Sequence, residues 1–247
     1  MWSEFQNGLK WGDTLNVAIA PNLGTADSVS LTADLTLNAQ NTTRVQLAVN
    51  QWNYKALGVG YREQLQGRPN YLSDMAAKCV YSVALAIDTY IAALFTSLTA
   101  GNVGTAASAI TDDVLLAAVE NLNKADVSDT DRHLLLDPES VTDILKIDKM
   151  TEADYVNRGA VENPVGGLIG RSRYGCTVWM SNNLKAHTSY HWAGMFQREA
   201  LATIIQKESM VDMFDWKEKF TNVVRAQAIF GAAASRPTAG CCINTRS

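Results

Sequence analysis

The most constraining feature of the sequence is a strict two-residue alternation of apolar and polar side chains. From Ser28 to Leu37 every second residue is apolar, and the pattern returns from Val45 to Val49 after a polar segment at residues 38–43. Because successive side chains of a β-strand point to opposite faces, this period predicts two strands that each have one apolar face. The segment is therefore predicted to form a long β-hairpin with an open loop, preceded by a strand from Leu15 to Ile19.

The apolar period becomes helical after Gly67. Apolar residues recur at steps of three or four from Leu72 to Leu98, many alanines lie between them, and Gly101 supplies a stop signal. This pattern predicts an amphipathic helix of about seven turns. Asp88 lies beside the apolar stripe, and we interpret it as a solvated flank or an ion-pair partner.

The second half of the chain mixes short helices and strands. A helix is predicted near Asp112 to Leu122, and the apolar run 134–136 predicts a buried strand. The tripeptide Asp137-Pro138-Glu139 then predicts a helix start, with Asp as the N-cap and Pro at the first helical position. Residues 190–205 fit helix and strand equally well. Further short strands are predicted at 168–169, 176–180, 223–224, 228–230 and 241–243, with breaks at Gly231 and Pro237.

Composition and charge exclude several classes of protein. The chain of 247 residues is 47% hydrophobic and 19% charged, which is too apolar for a disordered protein. Its formal net charge is −4 and it has no basic stripe, so a dedicated nucleic-acid binder is not expected. No window has the ~18 uncharged apolar residues of a membrane span, and the N-terminus lacks a secretory signal pattern. We therefore expect that the chain does not insert into a membrane and that it is synthesised in the cytoplasm.

No group of residues predicts a cofactor or metal site. His187 and His191 are four residues apart, as in a helical zinc site, but no third ligand is positioned near them. The glycines at 166–170 precede a strand, and no Lys-Ser or Lys-Thr follows them, so a phosphate loop is not predicted. The four cysteines lack metal spacing and are interpreted as reduced, buried thiols; they are Cys79, Cys176, Cys241 and Cys242.

Catalytic residues are not predicted either. Asp137 and Glu139 could form a carboxylate pair, but helix capping already explains both. A hydrolase that uses Asp137 or His191 remains the enzyme alternative. The six tryptophans, which include Trp2, Trp11, Trp52 and Trp216, are interpreted as core residues in preference to interface anchors.

Several motifs, in their order along the chain, resemble the capsid proteins of tailed double-stranded DNA bacteriophages with the Hong Kong 97-type fold. Residues 11–17, Trp-Gly-Asp-Thr-Leu-Asn-Val, resemble the strand that enters the extended E-loop, and Met75 to Leu94 resembles the spine helix. Residues 133–139 are similar to the strand-to-helix corner of the A-domain. The most specific stretch is 170–184, which resembles a glycine-bracketed turn, a strand and a Ser-Asn-Asn-Leu exit, and 223–237 resembles the last P-domain strands.

The resemblance implies an α+β fold with an E-loop hairpin, a P-domain built on the spine helix, and an A-domain. The implied divisions are an N-terminal arm and first strand at 1–21, the E-loop hairpin at 22–54, the spine helix of the P-domain at 55–100, the A-domain with P-domain connections at 101–215, and the P-domain C-terminal strands at 216–247. About eleven residues precede Gly12, fewer than in the N-terminal arm that is usual in the family, so either this arm is short or the numbered chain starts late.

The implied function is that of a major capsid protein, a non-enzymatic subunit that assembles with itself into the pentamers and hexamers of an icosahedral virion shell. Nothing local is large enough to cover the apolar hairpin face, so a neighbouring subunit is expected to cover it. The predicted interface residues are Leu31, Leu35, Leu37, Val45, Leu47 and Val49. Implied partners are a separate scaffolding protein, a portal, a decoration protein, and packaged double-stranded DNA bound without sequence specificity. The alternative is an encapsulin-like nanocompartment shell that encloses a cargo enzyme.

Overall fold

The computed structural model of the chain describes residues 12–19, 28, 43–67, 70–147, 168–171, 174–184 and 190–246. These residues form a two-stranded ribbon, a three-stranded sheet and a six-stranded sheet, with helices packed on the two larger sheets. The helices are α1 (Tyr61–Gln66), α2 (Tyr71–Ala93), α3 (Asp112–Lys124) and α4 (Pro138–Ile144). The strands are β1 (Thr14–Ile19), β2 (Thr43–Ala48), β3 (Gln51–Gly60), β4 (Asn102–Val103), β5 (Arg132–Leu136), β6 (Leu168–Arg171), β7 (Thr177–Met180), β8 (Tyr190–Gln197), β9 (Leu201–Trp216), β10 (Thr221–Ala234) and β11 (Gly240–Arg246).

The ribbon pairs β1 with β2 in antiparallel register, so that Leu15 lies opposite Leu47 and Val17 opposite Val45. Both strands were predicted from their alternation. In the described residues the partner of β2 is β1; the other predicted arm of the hairpin, residues 29–37, and the polar tip up to residue 42 lie outside the described residues.

The three-stranded sheet has the order β3-β10-β9 and is antiparallel throughout. Helix α2 covers one face, where Cys79 and Val83 pack against Ala226 and Ala228 of β10. Small alanine side chains on the sheet let the helix approach closely. The predicted spine helix is therefore confirmed. Strand β3 was not predicted, and it places residues 51–54 in this sheet although the sequence analysis assigned them to the hairpin.

Strand β10 runs without interruption through Gly231, where a break was predicted. The predicted break is wrong, because Gly231 permits a close contact between two backbone segments and does not form a turn. A Cβ atom at this position would lie 2.1 Å from the carbonyl oxygen of Ala48, at the end of the ribbon. Gly231 therefore lets two backbones touch.

The six-stranded sheet has the order β4-β11-β8-β5-β7-β6. The ambiguous segment 190–205 is strand β8, a 3₁₀ turn at Arg198–Ala200, and the start of β9. Strand β11 lies between β4 and β8, so the chain's last strand belongs to this sheet and not, as the division at 216–247 implied, with β10. The main core of the protein lies here and includes Leu115, Leu122, Leu134, Leu136, Met195 and Ile243.

The two larger sheets meet at the end of α2. The 3₁₀ turn Leu94–Ser97 continues the helix and buries Phe95 against Phe196 of β8, with ring centroids 5.4 Å apart. Asp88, near this end of α2, accepts a hydrogen bond from Asn183 Nδ2 at 3.3 Å. Asp88 is therefore an exposed polar link to the loop that follows β7.

Candidate subunit interface

Among the described residues, none covers one face of the three-stranded sheet, and this face carries large apolar side chains. Residues 226 and 228 of β10 face α2, so the alternate residues 225, 227 and 229 point to the opposite side. Their neighbours on β3 and β9 share that side. The large apolar residues of this open sheet face, with their exposed fractions, are Trp52 (68%), Tyr54 (68%), Met210 (50%), Phe214 (45%) and Trp216 (42%).

Two polar pairs lie on the open sheet face. Arg225 donates from a guanidinium NH₂ group to Asp212 Oδ2 at 2.9 Å, and its guanidinium carbon lies 5.8 Å from the centroid of the Phe214 ring. Trp52 donates from Nε1 to Gln227 Oε1 at 3.3 Å. The face is therefore aromatic and rich in the residue types that anchor protein interfaces.

The tip of the β9–β10 hairpin is held by α1. The Tyr61 hydroxyl donates to the Asp215 carboxylate, and this hydrogen bond raises the pKa of Tyr61. The Tyr61 backbone N–H donates to the carbonyl oxygen of Phe220 at 3.1 Å, while the Phe220 side chain is 72% exposed. Lys219 lies over the Trp216 ring, 4.4 Å from its centroid. These contacts fix the direction of an apolar tip.

The predicted interface residues divide into two groups. Leu31, Leu35 and Leu37 lie outside the described residues. Of the others, Leu47 is only 1% exposed, because it packs against Ala202 and Ile204 of its own chain. The assignment of Leu47 to the interface is thus corrected to a core contact. Val45 and Val49 are half-buried.

The exposed tryptophans were misassigned to the core. Trp52 and Trp216 lie on the open sheet face, whereas Trp2 and Trp11 lie outside the described residues. A signal for β3 was present, because Trp52 and Tyr54 alternate with Gln51, Asn53 and Lys55. It is only five residues long, and it does not indicate which face another molecule covers.

The buried polar cluster at Asp137 is structural. Asp137 accepts hydrogen bonds from the backbone N–H groups of Glu139 and Ser140, each at 3.2 Å, so the predicted helix cap is confirmed. It also accepts from the hydroxyls of Ser140 and Thr245. His191 Nδ1 lies 3.7 Å from Asp137 Oδ2. The Ser140 hydroxyl donates to Asp137 instead of to His191, and this is not the nucleophile–base contact that a hydrolase needs.

Metal binding gains no support from the described residues, among which no group of three or more His, Cys, Asp or Glu side chains could hold an ion. His187 lies outside them. The four cysteines are buried free thiols, as predicted. Burial raises the pKa of both Cys241 and Cys242 to about 11, which favours the neutral thiol and disfavours metal ligation.

By length and composition alone, the helical segment Tyr71–Ser97 could cross a membrane. A single helix of this kind is weak evidence, because core helices of soluble proteins have the same composition. Here Cys79 and Val83 of the segment are buried against the three-stranded sheet. In the described structure 22% of the most apolar 18-residue window of this segment is buried, so this packing covers part of it.

Comparison with known proteins identifies the family. The sequence model of the phage capsid protein family matches residues 34–243, most of the chain. No curated protein matches the chain in sequence.

Solved structures show the same fold. The structure described as Mycobacterium phage Che8 superposes with a TM-score of 0.75 at 20% identity, covering 98% of this chain and 88% of that one. The mature capsid of bacteriophage PhiM1 gives a TM-score of 0.68 at 12% identity, covering 95% and 82%. A virus-like particle from Pyrococcus furiosus gives 0.63 at 14% identity, covering 94% and 86%.

The fold is shared by phage capsids and by the virus-like particle, so it does not separate these two kinds of shell. The family match favours a phage capsid, because the model of the phage capsid protein family extends over both sheets and α2, and the alternative of a nanocompartment shell is not better supported. The chain therefore belongs to the phage capsid protein family, and it is a structural major capsid protein with the Hong Kong 97-type fold that its sequence motifs resemble.

Proposed function

We propose that copies of this chain assemble through the open sheet face and the β1–β2 ribbon into the pentamers and hexamers of an icosahedral shell. The observation that supports this most directly is the open sheet face itself. Trp52 and Tyr54 lie two residues apart on the same side of β3 and are each 68% exposed, and nothing in the described chain covers them. Exposed aromatic side chains of this kind are typical of protein–protein contacts.

Burial of the open sheet face against a second copy would be energetically favourable. Full burial of one large apolar side chain stabilises an association by roughly 1.5–3 kcal/mol before the costs of ordering. The Arg225–Asp212 pair is already formed within the subunit, so it brings no unpaired charge into the contact. A contact between two different surfaces of identical chains is head-to-tail, and such contacts close into rings when the rotation allows it.

The hairpin remains part of the proposal, but the set of its residues that is proposed to form the interface is smaller. Leu31, Leu35 and Leu37 are proposed to face a neighbouring subunit, as is the half-buried Val45. Leu47 is left out because its own chain covers it, and Val49 because it packs against the same cluster.

The contents of the shell are proposed to be the phage's double-stranded DNA, held by enclosure without sequence-specific contacts. A net charge of −4 supports this, because an interior that bound phosphate tightly would hinder packaging and release. The proposed partners are a separate scaffolding protein, a portal and a decoration protein. The chain is proposed to be made in the host cytoplasm and to be located in the virion. No catalytic activity is proposed.

The test replaces Trp52 and Tyr54 together by serine. Both side chains are exposed, so we expect native circular dichroism and a stability within about 1 kcal/mol of the parent. Sedimentation velocity should show the fast-sedimenting shell for the parent and only slow species for the variant. The matched control is Leu145→Ser, which removes a 55% exposed apolar residue outside the open sheet face and should assemble normally. Shells formed by the double variant at parental yield would contradict the proposal.

A further inference from the structure

The base of the ribbon is attached to the three-stranded sheet by contacts that leave its direction little freedom. Gly231 of β10 meets the ribbon where β2 ends, and a Cβ atom there would lie 2.1 Å from Ala48 O and 2.9 Å from Val49 Cα. Contacts shorter than 3.0 Å force a displacement, and here the opposing atoms are backbone. The backbones of β10 and of the ribbon therefore lie too close together for a Cβ atom at position 231.

Two further contacts hold the same place. Leu47 inserts between the ribbon and the sheet, where Ala202 and Ile204 bury it completely. Gln206 of β9 donates from Nε2 to the carbonyl oxygen of Gly12 at 2.9 Å, at the start of the ribbon. The ribbon base itself is closed by a hydrogen bond from Val49 N to Asp13 O at 2.7 Å. We call Gly231, Leu47 and Gln206 with these partners the ribbon anchor.

We infer that the ribbon anchor is a positioning device that sets the angle at which the ribbon leaves the subunit, with Gly231 as its pivot contact. This inference rests on the proposed function, in which the ribbon reaches a neighbouring copy. An isolated two-stranded ribbon is marginally stable and can bend, so its direction must come from what it is packed against. The close contact at Gly231 supplies that constraint.

Geometry explains why a small change at the anchor would matter for assembly. The segment between Ile19 and Thr43 joins the two ribbon strands and, if doubled back, can reach at most roughly 40 Å. A tilt of about 10° at the anchor would then displace its far end by roughly 7 Å, which exceeds the spacing of neighbouring strands. A head-to-tail contact repeated around a ring closes only if every copy uses the same angle. The anchor should therefore influence shell size and regularity more than folding.

The experiment compares Gly231→Ala with Gly58→Ala. Gly58 is an exposed glycine of β3 in the same sheet, and its added Cβ would meet only Thr221 Cγ2 at an ordinary 3.4 Å. Spin labels on cysteines placed at the exposed positions Arg44, near the end of β2 that is far from Gly231, and Lys217 report the distance from the ribbon to the far tip of β9–β10. Labelled subunits are diluted into unlabelled protein, so that only distances within one subunit are measured.

Gly231→Ala should keep native circular dichroism, shift or broaden the label distance, and give shells of altered or mixed sedimentation coefficient. Gly58→Ala should match the parent in circular dichroism and in label distance; its shells are not compared, because Gly58 lies on the open sheet face. Parental distances and uniform parental shells for Gly231→Ala, or an equal change of label distance in Gly58→Ala, would overturn the inference. If the unsubstituted protein itself forms no shell, the proposed function fails, while the distance measurement still tests the anchor.

If Gly231→Ala does not fold, a second variant tests the inference. Gln206→Ala removes the hydrogen bond to Gly12 without touching the buried side of the ribbon. It should fold, broaden the distance distribution and reduce the fraction of uniform shells. A parental distribution together with uniform shells would overturn the inference.

Discussion

Thr245 Oγ1 donates a hydrogen bond to Asp137 Oδ1 at 3.2 Å, and so joins the last strand to the residue that begins helix α4. Asp137 is 1% exposed and also accepts from two backbone N–H groups. Helix α4 is thus attached to β11 by a buried carboxylate.

Replacing Asp137 by alanine is expected to lower the free energy of unfolding by about 2 kcal/mol. About 1 kcal/mol comes from the lost cap and about 1 kcal/mol from the lost bond to Thr245, whose buried hydroxyl loses one of its partners. Urea denaturation measures the change. Thr245→Val, which removes only the second contribution, should cost about half as much. Equal stability of Asp137→Ala and the parent would show that the cluster does not support α4.

This corner shows how far the sequence predicts the structure. Capping is a local arrangement, so Asp137-Pro138-Glu139 was enough to predict the start of α4. The partner Thr245 lies 108 residues away, and no local pattern encodes it. Strand β2 is a similar case. Its alternation predicted a strand, but it did not predict that β1 would be its partner.

The errors in the candidate interface have a related physical cause. A two-residue period marks one face of a strand as apolar without identifying what covers it. For Leu47 the cover is Ile204 of the same chain, and for Trp52 nothing in the described chain supplies it. Gly231 was predicted to interrupt a strand because glycine is favoured both in turns and where two backbones approach closely.

The buried thiols at Cys241 and Cys242 should be unreactive in the folded subunit. Burial raises both pKa values to about 11, so nearly all of each thiol is protonated at pH 8, where thiol reagents require the thiolate. A colourimetric thiol assay should detect them only after denaturation. Rapid native modification of either cysteine would contradict their burial in the six-stranded sheet.

The same shifts predict a loss of stability in alkali. A thiol whose pKa is higher in the folded state contributes stability that is present below its unfolded value of 9.0 and is lost as pH rises toward 11. The midpoint of urea denaturation should therefore fall across this window. The decrease should be smaller in Cys241→Ala, measured against its own stability at pH 8.

His133 should make the six-stranded sheet sensitive to acid. Trp179 donates from Nε1 to His133 Nδ1 at 3.3 Å, which requires a neutral imidazole, and desolvation is the main cause that lowers the pKa of His133 below 6.5. A lowered pKa means that stability is present above pH 6.5 and is lost as pH falls through the folded value. Titration by nuclear magnetic resonance should show His133 ionising below 6.5, and His133→Gln should weaken the acid dependence. Ionisation of His133 above 6.5 would exclude this arrangement.

The last prediction uses single charges to compare the base of the ribbon with the segment 29–37. Leu47→Asp should destabilise the subunit by several kcal/mol, because it places an unpaired carboxylate among Ala202 and Ile204, where Leu47 is 1% exposed. Leu35→Asp lies in the segment proposed to face a neighbour, so the subunit should fold with native circular dichroism and fail to form fast-sedimenting shells. Lys55→Asp, a charge change at an exposed position of β3, controls for charge alone at a surface site. If Leu35→Asp unfolds the subunit as Leu47→Asp does, that segment packs on its own chain, and the open sheet face must account for assembly without it.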